Sequence, residues 1–227
     1  MERHIDHELR ELKSKILLMG GYVEQAIEEA TQALLHNKPE RFALVFEMEH
    51  QINQAHMVVD EMCLKFLATQ SPLAADLRFI LAVVKINTDL ERMGDQAVNI
   101  AHNAKHYLLE TPIKALVDLP KMAREVQTMV KESLDAFVRG DSALARAVLK
   151  KDDEVDALKH QIFHDVKEVM MQDGKRIEGG LDLILIARNL ERLGDHATNI
   201  AEDVIFVTTG DDIRHGGQGT KSPSPRS

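Results

Sequence analysis

Two segments of the sequence repeat the same arrangement of carboxylates. Residues 89–101 read DLERMGDQAVNIA and residues 189–201 read NLERLGDHATNIA, so nine of the thirteen positions are identical. Each segment carries a glutamate four residues before an aspartate, and like charges at this spacing destabilise a helix by roughly 0.2–0.5 kcal/mol. These pairs are Glu91/Asp95 and Glu191/Asp195. The flanking residues differ between the copies while the acidic pairs remain, which indicates that the pairs serve a purpose beyond solvation.

Each segment predicts a helix with two different faces when its residues are placed at 100° intervals. Gly94, Ala97 and Ala101 cluster on one side of the first copy, which predicts a buried face that another helix can approach closely. Asn99 and Asn199 extend the acidic rows by one further turn on the open flank. The oxygen donors are therefore expected to face outward.

A similar row occurs on the helix that precedes each segment. Glu49 and Asn53 have the four-residue spacing in the first half, and Asp152 and Asp156 have it in the second. An antiparallel neighbour would bring two such rows face to face.

Carboxylate and amide oxygens on rigid helices suit Mg²⁺, Mn²⁺ or iron, and zinc also accepts carboxylate oxygen. The predicted metal ligands are Glu49, Glu91, Asp95, Asn99, Asp152, Asp156, Glu191, Asp195 and Asn199. The alternative is the ordinary solvated face of an amphipathic helix.

The composition favours an all-α protein. Only 4% of the 227 residues are aromatic and there is no Trp, whereas strong helix formers abound. The formal net charge of −9 argues against nucleic acid as a ligand, because phosphate binding requires a concentrated basic surface. The single cysteine, Cys63, excludes an internal disulfide, and its apolar helical context predicts an inert core thiol.

The sequence predicts a cytoplasmic protein. Its N-terminus is charged and lacks the apolar stretch of a signal peptide. Its apolar runs are far shorter than the roughly 20 residues that span a bilayer.

Breaks in the helical pattern predict six helices. The first three cover about residues 4–35, 40–69 and 72–109, with Ser71 as the N-cap of the third and Pro72 as its first residue. The fourth ends near residue 139, before Gly140 and Asp141. The fifth covers about residues 142–172, and the sixth ends near residue 208.

The internal repeat extends beyond the acidic segments, since residues 19–53 align with residues 122–156. Short loops between the helices require antiparallel neighbours. The sequence therefore predicts an all-α fold of two tandem three-helix bundles, residues 1–110 and 111–209, followed by a disordered tail at 210–227.

The repeated segments resemble the PhoU family. The resemblance is carried by DLRFILAVVKINTDLERMGDQAVNIA at residues 76–101 and by NLERLGDHATNIAED at residues 189–203, and it covers about residues 5–208. It implies two three-helix bundles, a homodimer, and multinuclear metal clusters held by paired E(D)xxxD motifs. It also implies a non-enzymatic regulator that restrains the phosphate-starvation response. Such a regulator acts on a membrane sensor histidine kinase and on the phosphate ABC transporter, including its ATPase, at the inner face of the membrane.

Three acidic pairs fit the family's metal motif in full, namely Glu91/Asp95, Asp152/Asp156 and Glu191/Asp195. The first-half row of Glu49 and Asn53 departs from the motif, because an amide stands where an acid is expected. The resemblance therefore implies a weaker or differently occupied first site.

Other metal-binding patterns are less well supported. His102/His106 and His160/His164 have the spacing of zinc ligands, but neither pair recurs in the other half. Glu47 and His50 match one half of a di-iron signature whose second half is absent.

Enzymatic motifs are also absent from the sequence, which has no phosphate-binding loop, dinucleotide-binding glycine motif or hydrolase serine motif. Direct phosphate binding is not predicted, since Arg78, Lys85 and Arg92 more often pair with neighbouring acids. The alternative from another functional class is a metal-storage protein or a metal-dependent hydrolase that uses the same carboxylates.

Overall fold

The computed structural model describes residues 4–113 and 118–213, and these residues form six α-helices and no strand. The helices are α1 (His4–Leu35), α2 (Phe42–Thr69), α3 (Ala74–Tyr107), α4 (Leu119–Arg139), α5 (Ser142–Gln172) and α6 (Ile177–Thr209). None of them carries the long, weakly charged apolar stretch needed to cross a membrane. The predicted all-α fold is confirmed, and the boundary at residues 110 and 111 stays a prediction. From residue 214 onward, the predicted disordered tail lies outside the described residues.

The start of α3 differs from the prediction. Ser71 and Pro72 precede the helix, which begins at Ala74 with Leu73 as its N-cap. The backbone N–H of Leu73 donates to the Asp76 carboxylate at 3.0 Å. An acid three residues after the cap accepts a free N–H of the first turn, as in a capping box. This acid, rather than the Ser-Pro sequence, sets the start of the helix.

The predicted turn between α4 and α5 is confirmed. Gly140 has a φ of +62°, in the left-handed region that favours glycine after a helix. The Asp141 carboxylate then accepts hydrogen bonds at 3.0 Å from the backbone N–H groups of Ala143 and Leu144. A cap of this kind stabilises a helix by about 1 kcal/mol.

Three helices pack around an apolar core in each half. α1, α2 and α3 contact one another, and so do α4, α5 and α6. Core side chains that are at most 1% exposed come from all the helices and include Ile27, Ile52, Ile86, Met129, Val155 and Ile186. Gly94, Ala97 and Ala101 are buried as predicted, while Asp95 and Asn99 are exposed.

The two bundles meet mainly through α3 and α6, which lie antiparallel. Lys85 in the first half of α3 donates to Asp203 near the end of α6 at 3.2 Å. His106 near the end of α3 contacts Asp182 near the start of α6 at 2.5 Å. Each of these helices therefore packs on its own bundle and on the other bundle at once.

The glycines of the two repeated segments, Gly94 and Gly194, have different amounts of space around them. Substituting each by alanine therefore gives a matched pair of variants. A Cβ on Gly194 would lie 3.6 Å from Val155 Cγ1, an ordinary contact, whereas a Cβ on Gly94 would lie 3.1 Å from Ile52 Cδ1. Alanine is favoured over glycine inside a helix by about 1 kcal/mol. We expect Gly194→Ala to raise the free energy of unfolding by about that amount, and Gly94→Ala to gain less because Ile52 must shift. Urea unfolding of both variants measures this, and equal gains would contradict the tighter packing at Gly94.

Candidate metal centre

The four carboxylates of the second half lie together along α5 and α6. Asp152 and Asp156 are one turn apart on α5, and Glu191 and Asp195 are one turn apart on α6. Lys159 joins the two rows, since its ammonium donates to Asp156 Oδ1 at 3.1 Å and to Glu191 Oε1 at 2.7 Å. The packing of α5 against α6 thus places the two acidic rows side by side.

Asp152 is half-buried, whereas Asp156 and Asp195 of the same cluster are exposed. Asp152 Oδ1 lies 3.7 Å from the position that a Cβ on Gly194 would take, so the missing side chain leaves space beside the carboxylate. Burial raises the pKa of Asp152 to about 6, and the charges of Asp195 and Asp156 contribute further. A proton therefore binds this carboxylate more readily than an ordinary aspartate.

Asp195 experiences the same repulsion. Its carboxylate is only partly covered, and this partial burial raises its pKa, with the charges of Glu191 and Asp156 acting in the same direction. His196 and Lys159 oppose this rise without cancelling it. The cluster consequently holds more negative charge than its neighbouring cations neutralise.

The chemistry of this cluster fits a hard cation. Carboxylate oxygens are the donors that Mg²⁺, Mn²⁺ and iron accept, and a positive ion would offset the repulsion that adds to the effect of burial on both pKa values. In the described parts of the chain, however, no group of three or more His, Cys, Asp or Glu side chains is placed to hold a metal ion. Lys159 engages two of the carboxylates instead. Metal binding by Asp152, Asp156, Glu191 and Asp195 therefore stays a prediction.

The corresponding residues of the first half are arranged differently. The Asn53 amide donates to Glu49 Oε1 at 2.5 Å within α2. Glu91 is half-buried and Asp95 is exposed on α3. With one carboxylate fewer, and with one oxygen of Glu49 already bonded, this set is the weaker candidate. The assignment of its residues as ligands also stays a prediction.

The two asparagines of the predicted ligand set are both exposed, and Asn199 also contacts the other bundle. The Asn199 amide donates to Asp89 Oδ1 of α3 at 3.2 Å, so its side chain is directed toward the other bundle. The structure thus brings together the four carboxylates of the second half but does not show Asn199 joining them.

The sequence did not predict that His196 also contacts Asp89, the residue to which Asn199 donates. His196 lies 2.8 Å from the same Asp89 oxygen through Nδ1, and the Asp89 and His196 side chains are only 12% and 13% exposed. Both residues occupy positions that differ between the two copies, where the other copy has Asn189 and Gln96. The available signal for this contact was therefore a pair of differences between the copies, an acid in one half and a histidine that can hydrogen-bond to it in the other.

Comparison with known proteins covers both halves of this fold. A family model described as the PhoU domain matches residues 16–104 and residues 119–204, which together make up more than half of the chain. The chain belongs to the PhoU family.

Curated relatives and solved structures of the family match over most of their length. The phosphate-specific transport system accessory protein PhoU homolog of Pseudomonas aeruginosa is 38% identical over 95% of this chain and 89% of its own. The accessory protein PhoU of Escherichia coli is 31% identical over 92% and 87%. The crystal structure of PhoU from P. aeruginosa superposes with a TM-score of 0.88 at 38% identity, covering 91% of this chain and all of the other. PhoU from Streptococcus pneumoniae, at 28% identity, gives a TM-score of 0.85 over 92% of this chain and 99% of its own.

Three histidines of the competing patterns, His50, His102 and His106, have other contacts in this PhoU-family fold. His106 contacts Asp182 of α6, and the His102 ring lies 5.2 Å from the Phe46 ring, centroid to centroid. His50 pairs with Gln54 on its own helix at 2.9 Å. The two members of the His102/His106 pair therefore serve different contacts.

The cysteine prediction agrees with the structure. Cys63 is buried, and burial followed by the charge of Asp60 raises the pKa of its thiol to about 11. A thiol with such a pKa stays protonated at neutral pH and is a poor nucleophile.

Exchanging the two copies' residues tests the contact between Asp89 and His196. We expect Asp89→Asn, which introduces the residue of the other copy, to lower the free energy of unfolding by about 1–2 kcal/mol, because a buried charged acceptor is lost. His196→Gln should lower the free energy of unfolding by a smaller amount. The double variant should lose less than the sum of the single variants, with a coupling of about 1 kcal/mol. Urea unfolding of all four proteins measures the cycle, and additive losses would show that the two side chains do not stabilise each other.

Proposed function

We propose that this protein is a non-enzymatic regulator of phosphate homeostasis that restrains the phosphate-starvation response and phosphate uptake. Membership of the PhoU family supports this role, because curated relatives that match nearly the whole chain are named accessory proteins of the phosphate-specific transport system. The partners in this proposal are a membrane sensor histidine kinase and the ATPase of the phosphate ABC transporter. A homodimer located in the cytoplasm, and recruited by these partners to the inner face of the membrane, belongs to the same proposal.

The observation that carries the mechanism is the repulsive cluster of Asp152, Asp156, Glu191 and Asp195. Asp156 and Asp195 are exposed, so a partner protein could reach this surface directly. Exposed carboxylates of this kind favour recognition of a protein over catalysis, which usually requires a water-excluding site.

Metal binding is the second element of the proposal. A bound divalent or iron-type cation would neutralise the carboxylates and hold them in fixed positions. Asp152 and Asp195, whose pKa values are raised by burial and by the other acids, would gain most from this neutralisation. In the structure, the Lys159 ammonium supplies part of the positive charge that neutralises Asp156 and Glu191. The surface that a partner meets would therefore depend on metal occupancy.

Removing two carboxylates tests the ligand assignment. We expect protein carrying Glu191→Ala and Asp195→Ala, purified under the same conditions as wild type, to contain less manganese, iron or zinc by elemental analysis. The reason is the loss of half of the oxygen donors. A control variant with Asp165→Asn and Glu168→Gln removes the same charge from α5 outside the cluster, and it should keep the wild-type metal content. Equal metal in the cluster variant and in wild type would remove these two residues from the ligand set.

Binding to the sensor kinase tests the adaptor role. We expect the protein to retain the cytoplasmic domain of the kinase in a pulldown, and an unrelated six-helix protein of similar net charge to fail, because a specific surface is required. The same preparations should show no metal-dependent hydrolysis of generic phosphoesters. Absence of enrichment would contradict the adaptor role, and hydrolysis that tracks metal content would favour a metal-dependent hydrolase.

A further inference from the structure

A groove of about 350 Å³ lies between α5 and α6 beside the carboxylate cluster. Phe163, Ile184 and Ala187 provide its apolar lining, and Lys159, His160 and Arg188 provide polar edges. Phe163 is 44% exposed. Covering an apolar side chain of this size favours binding, because its surface is removed from water. The groove therefore has exposed apolar surface that a bound partner could cover.

The apolar surface continues from this groove along α6. Ile177, Leu181 and Ile184 follow the spacing of one helical face, and the first two are 45% and 46% exposed. Met171, at the end of α5 near the same turn, is 78% exposed. Fourteen residues separate Ile177 from Glu191, which corresponds to about 21 Å of helix. A strip of this length matches about four turns of a helix, so an extended partner fits it better than a small molecule does.

Exposed basic residues flank the strip. They are His160 and Lys167 on α5 and Arg188 on α6. Lys167 follows Phe163 by four residues and therefore lies on the same face of α5. The nearest acid of the groove, Glu191, is already bound to Lys159 at 2.7 Å. The carboxylate cluster at one end of the groove is negative, as is the whole chain with its net charge of −9, but the side formed by His160, Lys167 and Arg188 attracts acidic groups.

The first half retains the apolar strip but not the basic edges. The residues equivalent to those of α6 are Leu77, Leu81 and Val84, of which all three are exposed. Asp60, Leu64 and Thr88 stand where the second half has Phe163, Lys167 and Arg188. Asp60 also accepts a hydrogen bond from Asn87 at 2.9 Å, so a polar contact occupies this position. Within the described residues, the combination of an apolar strip and basic edges at this location belongs to the second half.

We propose that the groove between α5 and α6 binds an acidic amphipathic helix of a partner protein. The apolar side of that helix would cover Phe163, Ile184 and Leu181, and its flanking carboxylates would face His160, Lys167 and Arg188. Helices recognised in this way place apolar anchors at positions i, i+3 or i+4, and i+7. This inference rests on the proposed adaptor role, because it names the chemistry of one partner and the surface that receives it.

A designed peptide tests the groove without knowledge of the natural partner. The probe is an 18-residue fluorescent peptide with leucines at helical spacing and glutamates on both flanks, and its control carries lysines in place of the glutamates. Fluorescence anisotropy in the presence of a chelator is expected to show the acidic peptide binding at least about tenfold more tightly, with an affinity that falls as salt is added. Phe163→Asp and Arg188→Thr, which introduce the first-half residues, should each weaken binding by about tenfold. Leu81→Asp, a comparable change in the equivalent strip of the first half, should leave binding unchanged.

The outcomes separate this proposal from the proposed function. Equal affinity for the acidic and basic peptides, or an equal effect of Leu81→Asp and Phe163→Asp, would overturn the groove assignment. Sedimentation of the same variants tests whether a second copy of the chain covers the strip instead. If wild type is a homodimer and Phe163→Asp is not, the strip is a dimer interface and the proposal is overturned. Circular dichroism confirms that the variants are folded. Because the peptide assay uses metal-free protein and no kinase, a failed metal or kinase experiment leaves its result unchanged.

Discussion

The packing of α3 against α6 is the constraint on which the rest of the structure depends. Each of these helices contacts its own bundle, the opposite bundle and solvent. These three contacts must lie on different faces of the same helix. Gly94, Ala97 and Ala101 keep the inward face small, so the neighbouring helices approach closely. The acidic row can then occupy only the remaining flank. The position of the candidate metal centre follows from this division rather than from any feature of a loop.

The repeat explains the overall form, and the departures from it explain how the halves differ. At the contact between the bundles, Asp89 meets His196, whereas the other copy has Asn189 and Gln96 at these positions. In the acidic rows, Asp156 stands where the first half has Asn53. Charge is therefore concentrated in the second half, where burial and mutual repulsion raise the pKa of Asp152 to about 6. A duplicated fold has in this way acquired two unequal surfaces.

Lys159 links the two surface features of the second half. Its ammonium bridges Asp156 and Glu191 within the carboxylate cluster, and its side chain also borders the groove that contains Phe163. A change in the positive charge held by the cluster would alter the electrostatics at the edge of the groove, because the two share Lys159 and Glu191. Physical proximity thus provides a simple route by which metal occupancy would influence partner binding in the proposed regulator.

The sequence by itself determined the six helices, the duplication and the separation of inward glycine and alanine from outward carboxylates. These features depend on local spacing, and a period of 3.6 residues is visible in one dimension. It also placed the turn at Gly140 and Asp141, because glycine and an N-cap acid act on adjacent residues. It misplaced the start of α3, where the Asp76 carboxylate rather than Ser71 accepts the free N–H. Only the tertiary structure decided which side chains meet across helices: Asn199 with Asp89, Lys159 with Glu191, and the groove between α5 and α6. Such contacts depend on the relative rotation of packed helices, which is set by the packing of the whole core and not by the periodicity of any single helix.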